Sequence, residues 1–94
     1  MRFTMYHDAG HGWLAVTDAQ AHSVGLSEGD FSAYSSRFGN TLYLEEDLDA
    51  SIFIRAWEAQ HGAIVLHAVD QGDYSPIRNY RSVMPRLVDD EIDF

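Results

Sequence analysis

Four carboxylates fall within five residues in Glu45-Glu46-Asp47-Leu48-Asp49, directly after the strand-like Tyr43-Leu44. Side chains of this type and spacing can cap a helix, hold a hard divalent cation, share a proton in acid–base catalysis, or present charge to a basic partner. The cation reading lacks a calcium-loop spacing and its glycine. The capping reading is physically sound, because the first turn of a helix exposes unpaired N–H groups and the positive end of its dipole. Four acids nevertheless exceed what one helix end can use. Asp49 stands out, since a helical wheel puts it on the apolar side between Ala56 and Phe53. A carboxylate there needs a reason.

A second cluster is His7-Asp8-Ala9-Gly10-His11-Gly12-Trp13. Two histidines and an aspartate around one turn can bind zinc or serve as a general base. A catalytic zinc usually takes three protein ligands, and the third would have to come from across the sheet, as His67 or Asp49. The competing reading is structural: Asp8 bonds local backbone N–H groups and a histidine stacks on a neighbouring aromatic ring. The hydroxyls of Ser32-Ala33-Tyr34-Ser35-Ser36-Arg37 lack a nucleophile elbow and read as an exposed strand face. Arg78, Tyr80, Arg81 and Arg86 can form a basic-aromatic patch, or pair with the chain's own carboxylates. No phosphate loop, dinucleotide fingerprint or Ser-His-Asp pattern occurs, so no catalytic residue is assigned and no cofactor is expected.

The elements that position these residues follow from periodicity. Residues 3–7 alternate as a strand, two glycines supply a turn, and 13–16 resume a strand, which makes a β-hairpin. Thr17 or Asp18 can cap a short helix reaching His22 or Ser23. Segments 31–38 and 41–44 read as strands around Gly39-Asn40, a type II′ or I′ hairpin signal. The main helix is expected over about 47–60, with the stripe Leu48, Ile52, Ala56 and Ala59 widened by Phe53 and Trp57. Gly62 stops it. Residues 63–69 form an aliphatic strand containing His67, and Ser75-Pro76 begins an extended segment. The order β-β-α-β-β-α-β predicts an α+β fold, an antiparallel sheet of about five strands with the main helix on one face. One domain over residues 1–86 and an acidic C-terminal tail over 87–94 complete the reading.

Composition bounds the partner. Fifteen acids stand against six arginines, with no lysine and no cysteine, for a net charge of −9. Residues 1–75 carry a net of −8, residues 76–86 a net of +3, and residues 87–94 a net of −4. Such a surface repels a phosphate backbone, which argues against nucleic acid as a direct ligand. It favours a basic partner, although a salt-rich habitat also selects acidic surfaces. The absent cysteines exclude disulfides and thiolate metal sites. No apolar run is long enough to span a bilayer, and the first eight residues lack the apolar core of a secretory signal. A cytosolic protein is expected.

Three motifs, His7-Asp8-x-Gly10-His11-Gly12-Trp13-Leu14, Tyr43-Leu44-Glu45-Glu46-Asp47-x-Asp49-Ala50 and Ser75-Pro76-Ile77-Arg78-x-Tyr80, together resemble a family of small uncharacterised proteins of bacteriophages, prophages and plasmids. That resemblance implies a mobile-element origin and no particular activity. By analogy with small acidic phage proteins such as anti-CRISPR proteins, the leading expectation is a binding module acting in the host cytoplasm. It would inhibit a basic, nucleic-acid-handling host protein, such as a CRISPR effector subunit, through Glu45, Glu46, Asp47 and Asp49, helped by Asp8 and Asp30. The alternatives are a small metal-dependent enzyme using His7, His11 and Asp49, and a virion accessory protein that forms a homo-oligomer, for instance a dimer, through a strand edge.

Overall fold

The computed structural model describes residues 1–83, so Arg86 and the acidic segment 87–94 lie outside the described residues. Strand β1 (Arg2–His7) and strand β2 (Gly12–Thr17) form an antiparallel hairpin with Tyr6 opposite Trp13. Helix α1 (Asp18–Ser23) starts on a reciprocal cap: Thr17 Oγ1 accepts from the Gln20 N–H, and Gln20 Oε1 accepts from the Thr17 N–H. Strands β3 (Ser36–Phe38) and β4 (Thr41–Glu45) flank Gly39-Asn40. Gly39 has φ +64° and among the described residues no non-glycine has positive φ, so Asn40 does not, which is the type II′ pattern rather than I′.

Helix α2 (Asp49–His61) begins two residues later than the charge pattern suggests. Glu45 explains the delay: its two carboxylate oxygens accept from the N–H groups of Asp47 at 2.8 Å and Leu48 at 3.2 Å, tying both into a turn. Gly62, at φ +86°, ends the helix and donates to the Glu58 carbonyl at 3.0 Å. Asp49, Ala50, Phe53 and Trp57 face the sheet, a stripe one position away from the one predicted on Leu48 and Ala59, both of which are exposed. The core joins them to Phe3, Leu14, Val16, Leu42 and Leu44, which alternate along β1, β2 and β4. Phe3 meets Phe53 and Trp57 edge-on at 5.3 and 5.1 Å.

The fold is α+β; the described residues form six strands in the order β5-β1-β2-β4-β3-β6, adding β5 (Val65–Asp70) and β6 (Arg81–Ser82). All pairs are antiparallel except β1 with β5. That exception follows from α2, which carries the chain back across one face so that β5 runs in the same direction as β4. The predicted strand over 31–38 is the main departure. Only 36–38 pair, because Phe31 enters the core while Ser32 and Ser35 turn inward to a carboxylate. The predicted extension at Ser75-Pro76 is instead a short 3-10 turn, Pro76–Asn79, capped by Ser75 Oγ accepting from the Ile77 N–H.

Candidate functional site

The sheet face opposite α2 carries Tyr6, Trp13, Tyr43, Glu45 and Phe38, by the alternation and register of β1 to β4. Tyr80 continues this aromatic row, 5.0 Å from Phe38 and 5.2 Å from Tyr43, with Tyr6 and Tyr43 at 6.3 Å. A groove of about 760 Å³ opens at the β6 end of this face, among Trp13, Tyr34, Glu45, Asp47, Leu48, Tyr74, Arg78 and Tyr80, with His11, Ala33, Ser36 and Ser82 completing it. Tyr34, Tyr74 and Leu48 are 78, 58 and 52% exposed there.

Asp8 fastens one wall. Its Oδ1 accepts from the N–H groups of Gly10 and His11, both at 3.0 Å, which closes the β1–β2 turn. Its Oδ2 accepts from the Ser75 N–H at 2.8 Å. Arg78 completes the set bidentately, donating from Nε to Oδ2 at 2.5 Å and from Nη2 to Oδ1 at 2.8 Å. The Arg78 guanidinium is the chief reason that Asp8 stays ionised well below the usual carboxylate range. Burial opposes it, and the N–H groups of Ser75, Gly10 and His11 add to it. The same pairing raises Arg78 and holds it charged. Its guanidinium lies 5.9 Å from the Trp13 ring and 5.2 Å from the Tyr74 ring.

Asp49 fastens the opposite wall. It is 1% exposed, and its Oδ2 accepts from the Ser32 N–H at 2.9 Å, the Ser32 hydroxyl at 2.7 Å and the Ser35 hydroxyl. Ser35 Oγ in turn accepts from the Glu45 N–H at 2.9 Å. The loop bearing Ala33 and Tyr34 is thereby tied to both the start of α2 and the end of β4. Asp49 Oδ1 is buried and has no hydrogen-bond partner among the described residues.

The glycines of the first motif make room for this construction. A Cβ on Gly10 would stand 3.0 Å from Arg78 Nη2, and one on Gly12 would stand 1.8 Å from Glu46 Oε1. The three motifs, dispersed along the sequence, therefore meet in space as the floor and walls of one groove.

The candidate acids divide accordingly. Asp8 and Asp49, named with the partner-facing acids, are instead buried and bonded within the chain. Asp30 is exposed but its Oδ2 accepts from the Ser27 N–H at 2.8 Å, in a cap. Glu45 lines the groove while tying the entry to α2, and Glu46 and Asp47 remain exposed. The His11 ring lies tilted against Trp13, 5.8 Å between centroids, rather than stacked on it. His7, His11 and Asp49 are not gathered as ligands: among the described residues no three His, Cys, Asp or Glu side chains come together to hold a metal. Sequence reasoning missed Trp13, Tyr34 and Tyr74 as site residues. The one available signal was that aromatics flank every candidate acid cluster.

Among the described residues no helix is long and apolar enough to cross a membrane. Comparison with protein-family models, curated proteins and solved structures finds no match.

Proposed function

We propose that this protein is an acidic binding module that seats a basic segment of a partner protein in the aromatic groove. The observation that carries the reading is the pairing of exposed Tyr34 and Tyr74 with the Glu45 and Asp47 carboxylates around one concavity. Exposed aromatics concentrated in one patch mark a contact surface. Asp8 offsets the charge of Arg78, so Glu45 and Asp47 set the sign of the groove. Tyrosine faces attract guanidinium and ammonium groups, and Arg78 over Tyr74 displays that contact within the chain itself. Glu46 and Asp47 extend the negative field beyond the rim, which favours fast, salt-sensitive association.

The partner class that fits is a basic protein whose surface normally holds nucleic acid, and occupancy of that surface would inhibit it. A mobile-element origin in the host cytoplasm, as the motif resemblance implies, suits such a role. The test is titration with an arginine-rich peptide and a glutamate-rich peptide of equal length, read by tryptophan emission at low and high salt. The arginine-rich peptide is expected to bind, with affinity falling at least about tenfold at high salt. Tyr34→Ala and Asp47→Lys should each weaken it without moving the melting curve. Equal binding of the two peptides, or affinity indifferent to salt, would remove the proposal.

A further inference from the structure

Strand β5 closes the sheet order at the end opposite β6 and pairs with β1 alone, so its outer row of N–H and C=O groups has no strand partner among the described residues. Natural edges of this kind are guarded by proline, by lysine, by an inward-pointing charge or by a bulge. β5 has none of these: residues 63–69 are Ala-Ile-Val-Leu-His-Ala-Val, and its first acid is Asp70 at the very end. In a chain of net charge −9 this run is an uncharged window. Val65 and Leu66, on opposite faces of the strand, are 61 and 46% exposed.

We infer that the β5 edge is a homodimer interface, with a second copy of β5 added antiparallel so that the two sheets become one. Two features select a second copy as the occupant. The uncharged run is the stretch of edge where two strongly acidic chains can approach without facing like charges. Its residue pattern is also self-complementary about His67. A twofold axis there sets Val65 against Val69 of the other copy and Leu66 against Ala68; Asp70 would fall opposite Ile64, whose N–H already donates to Glu58 Oε2 at 3.2 Å, so the shared ladder is confined to residues 65–69, between these carboxylates. Alternate residues then share a face across the junction, as strand geometry requires. The aromatic groove lies toward the other end of each sheet, so pairing leaves both grooves open and makes the assembly bivalent.

The test uses the full chain in sedimentation from micromolar to millimolar concentration, at a salt concentration that screens the net charge. The expected result is a mass of twice the chain's 10.6 kDa, returning to one chain in a Val65→Lys, Leu66→Lys variant that keeps its melting curve. Because the chain has no cysteine, His67→Cys supplies a second readout that does not depend on that variant folding. Under copper–phenanthroline oxidation it should form an interchain disulfide faster than Asp73→Cys, which is exposed on the following turn. A one-chain mass at every concentration overturns the inference. So does a dimer untouched by the double lysine variant, or cross-linking no faster for His67→Cys than for Asp73→Cys.

Discussion

Each wall of the groove is fastened to a buried aspartate, and the two carboxylates are satisfied in different ways. Asp8 uses both oxygens, accepts five donors and faces a cation, Arg78. Asp49 uses one oxygen, accepts three donors from two serines and has no cation in its set. Its position supplies the substitute: it is the first residue of α2, where unpaired N–H groups and the helix dipole favour negative charge. A turn offers no such field, so the aspartate in the turn requires an arginine recruited from seventy residues away. Burial of an acid thus has two solutions here, one ionic and one built from hydroxyls and a dipole, and they should respond differently to the same substitutions.

The largest effect is expected at Asp8→Asn. With donors on both oxygens, an amide nitrogen must face N–H groups in either orientation, and Arg78 is left without its counter-charge. Thermal melting should place this variant below every other discussed here. The pH dependence sharpens the point. Because the folded carboxyl titrates well below its ordinary value of 3.8, its contribution is fully present above that value. It is lost as pH falls, when the unfolded chain takes up a proton that the folded chain refuses. Melts between neutral and acid pH should show an acid limb in the wild type that is shallower in Asp8→Asn. Equal limbs would mean that Asp8 is not the group responsible.

At Asp49 the contrast between two substitutions carries the test. Asp49→Ala strands the Ser32 N–H and two serine hydroxyls, and should cost roughly 2–4 kcal/mol, since a buried donor left unpaired costs about 1–3 kcal/mol. Asp49→Asn can keep its carbonyl oxygen where Oδ2 stands and put the amide at the partnerless Oδ1. It then loses the charge–dipole contribution, about 1 kcal/mol, and buries amide N–H donors where an oxygen without a partner stood before. The ranking Asp8→Asn well below Asp49→Asn in melting temperature follows from the two geometries. The reverse ranking would show that the cation at Asp8 matters less than the dipole at Asp49.

Much of this was legible in the sequence, for reasons that differ by element. Both hairpins and the main helix were readable because alternation and the glycine signals at 39 and 62 agree with the tertiary packing. Asp49 was marked as anomalous by its place on the apolar side of the helical wheel. What held it was not legible, because Ser32 and Ser35 lie in a segment whose own alternation imitates a strand. A side chain seventeen residues away overrode that local preference. Arg78 was expected to pair internally with an acid, but its choice of Asp8 depends on the 3-10 turn after Ser75, which a Ser-Pro dipeptide does not distinguish from extended chain. The parallel β5 was hidden for a related reason: strand periodicity carries no direction. The groove was least legible of all, since it arises where separate motifs meet and no single stretch describes it.

The smallest effects are expected at the two glycines, and here the shorter contact should be the milder one. A methyl on Gly12 would fall 1.8 Å from Glu46 Oε1, far inside contact, while one on Gly10 would fall 3.0 Å from Arg78 Nη2. Distance alone ranks Gly12→Ala as the worse change. The neighbours reverse that order. Glu46 is exposed, and the atom in the way is the end of a flexible chain that can swing aside. Arg78 cannot move without loosening its bidentate bond to Asp8. Gly12→Ala should therefore change stability by no more than about 0.5 kcal/mol, because a flexible surface group absorbs the change. In a Glu46→Ala background, where nothing obstructs the methyl, the same substitution should stabilise by about 0.4–1 kcal/mol through the reduced freedom of the unfolded chain. Gly10→Ala should lower the melting temperature further than Gly12→Ala and gain nothing from Glu46→Ala. If Gly12→Ala proves the more damaging, the Glu46 side chain is held over the turn as firmly as Arg78, and the rim of the groove is as rigid as its buried anchors.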